Sequence, residues 1–278
     1  SAVDLYPAAG RYTYEKGDEI AKSGNSGSSG GPHLHFEIRD SRTEHPLDPI
    51  AEGFALADHR APLMYSLMLI PVSRDALCNG KRATVKLPLV RAGVGRYRVT
   101  GSGPHRLSGT WGFAVETVDQ QDGGSNKNGT VALKMWLNDS LHYSHSIDEF
   151  GFDETRYLNS LITFDEYKCC TDRATKLYVE PNNQLSFVQG NPAGYRFGES
   201  DSNSYSLRIE ASDRAGNRSI VEFDFQGIAH EAQMTLSEQP LVYPDDALWL
   251  AHNEAHRLSA DEARCIIPAG VLYTDVYF

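Results

Sequence analysis

The chain has 278 residues, a formal net charge of -11 and four cysteines. That length points to about two domains at roughly 150 residues each, with room for at least one sizeable core. The acidic balance, with no dense Lys/Arg stripe, argues against nucleic acid as a partner, and no run approaches the roughly 20 apolar residues that span a bilayer.

In chain order, Ser1 to Gly10 lacks the basic n-region and apolar h-region of a secretion signal. Lys16-Gly17-Asp18 reads as a turn before a short strand at Glu19-Ile20-Ala21. The polar glycine-rich run Ser23-Gly-Asn-Ser-Gly-Ser-Ser-Gly-Gly-Pro32 leads straight into His33-Leu-His-Phe-Glu-Ile-Arg39, which alternates as a strand does. On such a strand His33, His35 and Glu37 share one face, and Leu34, Phe36 and Ile38 share the other and pack in a core. Two imidazoles on one face after a glycine loop suit one metal ligand beside one acid/base group. A catalytic zinc takes three protein ligands and keeps a position for water, so His33 and His35 supply at most two of the three.

Asp58-His-Arg-Ala-Pro62 marks a boundary. Beyond it, Leu63 to Val72 is an apolar run of strand length. Trp111, Phe113, Val115 and Thr117 alternate along one strand, and their aromatics read as core. After the polar turn Asp122 to Gly129, Val131, Leu133, Met135 and Leu137 alternate on a second strand that ends at Asn138-Asp139. Tyr205, Leu207, Ile209 and Ala211 form a third, and Asp213-Arg-Ala-Gly-Asn217 turns into Ile220 to Phe225. Strand, polar turn, strand at spacings near a dozen residues predicts a mainly β protein with a sandwich over residues 59–227. Residues 228–278 change character. His252 to Ala263 reads as one short helix, and the apolar run Val271 to Phe278 starts a further β-rich element with no closing turn. Both ends are expected to be cuts in a longer protein.

Taken in order, Gly17 to Ala21, Ser23 to Arg39 and Pro46-Leu-Asp-Pro49 closely resemble the C-terminal signature of lysostaphin-type (LytM-like) zinc endopeptidases, which cleave peptide cross-links in bacterial peptidoglycan. The β-rich remainder, including Asp213 to Asn217, resembles more loosely the C-terminal region of such peptidases from Bacteroidetes-type bacteria. The resemblance implies that residues 1–58 are the end of a peptidase domain with a lysostaphin-like β-fold, followed by an Ig-like accessory region. It implies that His35 binds Zn²⁺ and that His33 is catalytic beside the attacking water or the developing oxyanion; Glu37, read as sharing their strand face, has a structural role or orients an imidazole. It also implies export to the periplasm or cell surface. The family's other two ligands come from an upstream H-x-x-x-D motif. No His precedes His33 here, and Asp4 and Asp18 do not fit that pattern. The missing portion would have to be supplied by the parent protein or an associated fragment. A non-catalytic scaffold that activates a cell-wall amidase, or a glycan- or partner-binding module, is the competing expectation.

Other candidates carry blander readings. His252-Asn-Glu-Ala-His256 has helical spacing, but Glu254 does not directly follow the first His as a zincin glutamate must. Asp119 to Asn126 is an oxygen-rich loop without EF-hand spacing, so a polar hairpin turn is preferred to a Ca²⁺ loop. His142 and His145 read as a surface pair. Ser102 or Ser108 near His105 lacks a nucleophile elbow. Among the cysteines, Cys78, Cys169, Cys170 and Cys265 form no C-x-x-C pair, and spacing alone leaves disulfides and free thiols both open.

Overall fold

The computed structural model describes residues 6–25, 30–54, 56–101, 103–164, 167–168, 173–198, 203–234, 248–260, 263–272 and 275–277. Ser102, Cys169, Cys170, Asp4 and part of the glycine run lie outside them. The chain divides into two compact units, Ser1–Ile38 and Arg39–Phe278.

The described residues of the first unit are turns and irregular chain up to Glu37. The strand expected at Glu19–Ala21 is absent, and Ile20 is exposed. Residues 33–37 form no strand either. Leu34 and Phe36, expected in a core, are 75% and 56% exposed. Alternation alone does not make a strand. It needs a neighbour to take its backbone hydrogen bonds and a surface to cover its apolar face.

The second unit is mainly β. The strands among the described residues, in chain order, are β1 (Ile38–Arg39), β2 (Pro46–Leu47), β3 (Leu63–Pro71), β4 (Leu77–Cys78), β5 (Val85–Gly93), β6 (Arg96–Val99), β7 (Arg106–Val118), β8 (Ala132–Leu137) and β9 (Ser140–Ser146). After a short helical stretch over 152–161 come β10 (Ala174–Lys176), β11 (Val188–Gly190), β12 (Tyr195–Phe197), β13 (Asn203–Ser212) and β14 (Arg218–Gly227). The last are β15 (Trp249–Leu250), β16 (His256–Ala260), β17 (Ala263–Ile267) and β18 (Val276–Tyr277). A small helix, His230–Met234, follows β14. No helix among the described residues is long and apolar enough to cross a membrane.

One hydrogen-bonded path runs β10-β7-β3-β5-β6-β14-β13-β8-β9-β11. β14 also pairs with β7, so the sheet closes on itself as a barrel. Most pairings are antiparallel; β14 lies parallel to β6 and to the start of β7. The register follows from the period-two pattern. Leu207, Ile209 and Ala211 of β13 sit opposite Leu137, Met135 and Leu133 of β8, so apolar faces meet. Phe113 is the hub of the core, with ring centroids of Tyr195, Phe197 and Phe225 at 5.8, 6.2 and 5.8 Å. The β7 segment Trp111 to Val115 is buried on both faces, as befits a strand inside the sheet. Between β8 and β9, Asn138 and Asp139 both adopt positive φ (48° and 64°), the backbone of a two-residue hairpin turn with the strands' own twist.

The helix expected over His252–Ala263 is instead a turn followed by the β16–β17 hairpin. His256 faces Ile267 and Leu258 faces Cys265, and burial alternates along β16. A short helix is marginal without an apolar stripe to bury; the Arg264-Cys265-Ile266-Ile267 segment offers a β-partner instead.

Candidate functional site

His33 and His35 lie on the irregular segment after the glycine run, and both are exposed. His33 Nδ1 is 2.8 Å from the carbonyl oxygen of Gly31. A carbonyl only accepts, so Nδ1 carries a proton in this contact. His35 Nε2 is 3.6 Å from Glu37 Oε1, a loose contact between solvent-facing groups and worth little in stability. Glu37 lies near the His35 imidazole, without the shared strand face that the alternation predicts.

A zinc site needs three converging protein donors. Among the described residues, the one set of three or more metal-capable side chains whose ligand atoms converge is Asp58, Asp119 and Asp213. His33, His35 and Glu37 do not form such a set. The described residues alone thus do not fit a closed zinc site around His33 and His35.

The Pro46–Pro49 and Asp213–Asn217 motifs meet through an arginine. Arg214 donates from Nε to Asp48 Oδ2 (2.8 Å), from one terminal nitrogen to Asp148 Oδ1 (2.5 Å) and from the other to the Ile147 carbonyl (2.9 Å). The two carboxylates hold its charge in place and raise its already high pKa, against the opposing effect of burial.

The aspartate cluster draws on three distant stretches of chain. Asp58 precedes β3, Asp119 follows β7, and Asp213 opens the β13–β14 turn. Asn217 braces two of them. Its backbone N–H and its side-chain amide donate to the two oxygens of Asp213 (2.8 Å each), and the amide also reaches the Asp58 carbonyl (3.1 Å). Asp119 and Asn128 exchange backbone hydrogen bonds of 2.9 Å that close the loop between β7 and β8, so this stretch is a hairpin turn as expected. Its first residue nonetheless turns inward. Burial, then the facing charges of Asp213 and Asp58, push the Asp119 carboxyl up to about 6. Sequence reasoning missed this convergence; the signal was an Asp in each of three separate turn motifs, which no local spacing connects.

The remaining candidates resolve structurally. His252 Nδ1 contacts Asp275 Oδ1 (2.7 Å), whereas His256 Nε2 contacts the Ala251 carbonyl (2.7 Å), so the two imidazoles do not converge. Ser108 is buried, its hydroxyl lacks a hydrogen-bond partner, and His105 packs on Phe223, so the two form no catalytic pair. His145, expected at the surface, is 4% exposed and contacts the Tyr143 hydroxyl at 3.0 Å. Cys78 is a buried free thiol, its pKa pushed up to about 11 by burial; Cys265 is free and exposed. The sequence matches no family model. No solved structure matches the chain.

Proposed function

We propose that this chain belongs to a zinc-dependent endopeptidase of lysostaphin type that hydrolyses peptide cross-links of peptidoglycan outside the bacterial cytoplasm, with His33 catalytic and His35 a metal ligand. The observation that carries the reading is the ordered run from Gly17 through the glycine loop to His33-Leu-His35, with Pro46 to Pro49 behind it. The proposal requires the remaining zinc ligands to come from outside these residues. Bound zinc supplies a Lewis acid and an activated water. The chain's own part is narrower. His33, with Nδ1 committed to the Gly31 carbonyl, offers Nε2 to take up and return a proton, and the glycine loop borders the substrate. The exposed Leu34 and Phe36 are the face that neighbouring peptidase strands would cover.

We further infer that the β-rich unit is an Ig-like accessory domain, a sandwich whose two layers are joined where β7 and β14 close the barrel. Supporting this, β7 pairs at its start with β4 and β14, and along the rest with β3, β10 and β12, as a strand that crosses between two layers does.

A second reading, a non-catalytic cell-wall scaffold, is favoured by one observation: no third donor joins the histidine pair among the described residues. Zinc content and peptidoglycan cleavage by the parent protein separate the two. On the peptidase reading the parent binds about one zinc, His35→Ala loses the metal and turnover, and His33→Ala keeps the metal and loses turnover. A zinc-free parent supports the scaffold, and normal cleavage by both variants refutes the assigned site.

A further inference from the structure

We propose that Asp58, Asp119 and Asp213 form a calcium site that ties the segment preceding β3 to the ends of β7 and β13. Each residue offers an oxygen within 4.8 Å of the others. Oxygens sharing one Ca²⁺ sit about 2.3–2.6 Å from it, so any two lie at most about 4.6–5.2 Å apart. The spacing is that of ligands around a single ion.

The cluster is also chemically incomplete. Asp119 is 4% exposed, and its Oδ1 is buried with no hydrogen-bond partner. Asp213 is 7% exposed. Burying a charged oxygen without a partner costs several times what a hydrogen bond returns, and three carboxylates facing one another add mutual repulsion. The arginines nearby direct their hydrogen bonds elsewhere, although the Arg60 charge still favours the ionised Asp119 carboxylate through space. Arg214 is held by Asp48 and Asp148, and Arg60 donates to Gln120 Oε1 (2.8 Å) and to the carbonyls of Gln121 and Gly124. A metal cation in the cluster would meet both deficits.

The donor chemistry selects the ion. The set has no thiolate and no imidazole, so it suits a hard cation and not zinc or copper. Asp58 and Asp119 line a cavity of about 190 Å³ with Gln121 and Asn128, whose amide oxygens and any waters can complete a shell of six to eight oxygens. Ligands gathered from three separate chain segments suit the adaptable shell of Ca²⁺ better than the rigid octahedron of Mg²⁺. The proposal is independent of His33 and His35.

The test is calorimetric titration of the whole chain with CaCl₂ after EGTA treatment, with thermal unfolding alongside. One Ca²⁺ per chain is expected, with Tm raised by about 5–10 °C at a hundredfold excess over Kd. Asp119→Asn, which keeps the side chain's shape, should weaken binding at least about tenfold. Asp58→Asn, outside every strand, should do the same and keeps the test decisive if the buried variant fails to fold. His35→Ala should bind Ca²⁺ normally, so failure of the zinc reading would leave this result untouched. No binding at about 5 mM Ca²⁺, or unchanged affinity in Asp58→Asn, overturns the site. Equal affinity for MgCl₂ overturns the assignment to calcium.

Discussion

His145 should make this protein acid-sensitive in a calculable way. It lies on β9 on the same face as Tyr143, with the Tyr143 and Phe187 rings edge-on at 5.7 and 6.1 Å. Burial disfavours the imidazolium and pulls its pKa down to about 4, from 6.5 in an unfolded chain. The folded state therefore keeps the ring neutral, while the unfolded state takes up a proton as pH falls below about 6.5. The contribution to stability is complete above that pH and is lost progressively as pH drops toward 4. Between pH 7.5 and 5.0 the linkage amounts to about 2 kcal/mol, a large part of a typical net stability of roughly 5–15 kcal/mol. Urea unfolding followed by tryptophan fluorescence at both pH values, in the parent chain and in His145→Gln, isolates it. The comparison cancels the carboxylates, including Asp119, whose raised pKa acts in the opposite direction. The parent should lose about 2 kcal/mol more than the variant over this interval. Equal losses within about 0.5 kcal/mol would refute the assignment of a buried neutral His145.

Gln233 pins the helix His230–Met234 to the sheet. Its Oε1 accepts from the Gly80 N–H (2.8 Å), and its Nε2 donates to the carbonyls of Leu77 (3.1 Å) and Arg106 (2.5 Å), with the side chain fully buried. Gln233→Leu should cost about 2–3 kcal/mol in chemical denaturation and speed hydrogen exchange at the Gly80 amide; exchange at the parent rate would show that the contact is not made. Gly109 has φ of +75°, and a Cβ there would lie 2.6–2.7 Å from the Asp75 and Ala76 backbone. Gly109→Ala should cost more than about 2 kcal/mol, whereas Gly216→Ala, also at positive φ but facing open space, should cost only about 1 kcal/mol; equal costs would mean that backbone conformation alone sets the penalty.

The central strands were legible because each carries its own evidence. Leu133, Met135 and Leu137, then Leu207, Ile209 and Ala211, recur at every second position; burial follows that alternation on β8, while on β13 Glu210 is buried along with Ile209 and Ala211. The Asn138-Asp139 turn was legible because those residue types tolerate positive φ. His33 to Arg39 alternates just as well, yet only its last two residues, Ile38 and Arg39, form a strand. Alternation specifies which side chains would share a face, not whether a partner exists to pair with. Pairing His145 with His142, three residues away, misplaces it, because the strand period groups it with Tyr143. The aspartate cluster had no local signature at all. Positions 58, 119 and 213 become neighbours only through the registers of β7, β13 and β14, which are long-range properties of the closed sheet.

The parallel seam made by β14 has a consequence for how the chain acquires its structure. Ile220 lies beside Arg96, and Gln226 beside Arg106, so the step that closes the barrel joins segments made far apart in time. A ribosome releases β6 and β7 long before β14, and until then their edges stand open to any passing strand. The β13–β14 hairpin, a ten-residue antiparallel register, can assemble by itself as soon as it emerges and then dock as a preformed clasp. Closure is thus a late, slow event that waits on residue 227.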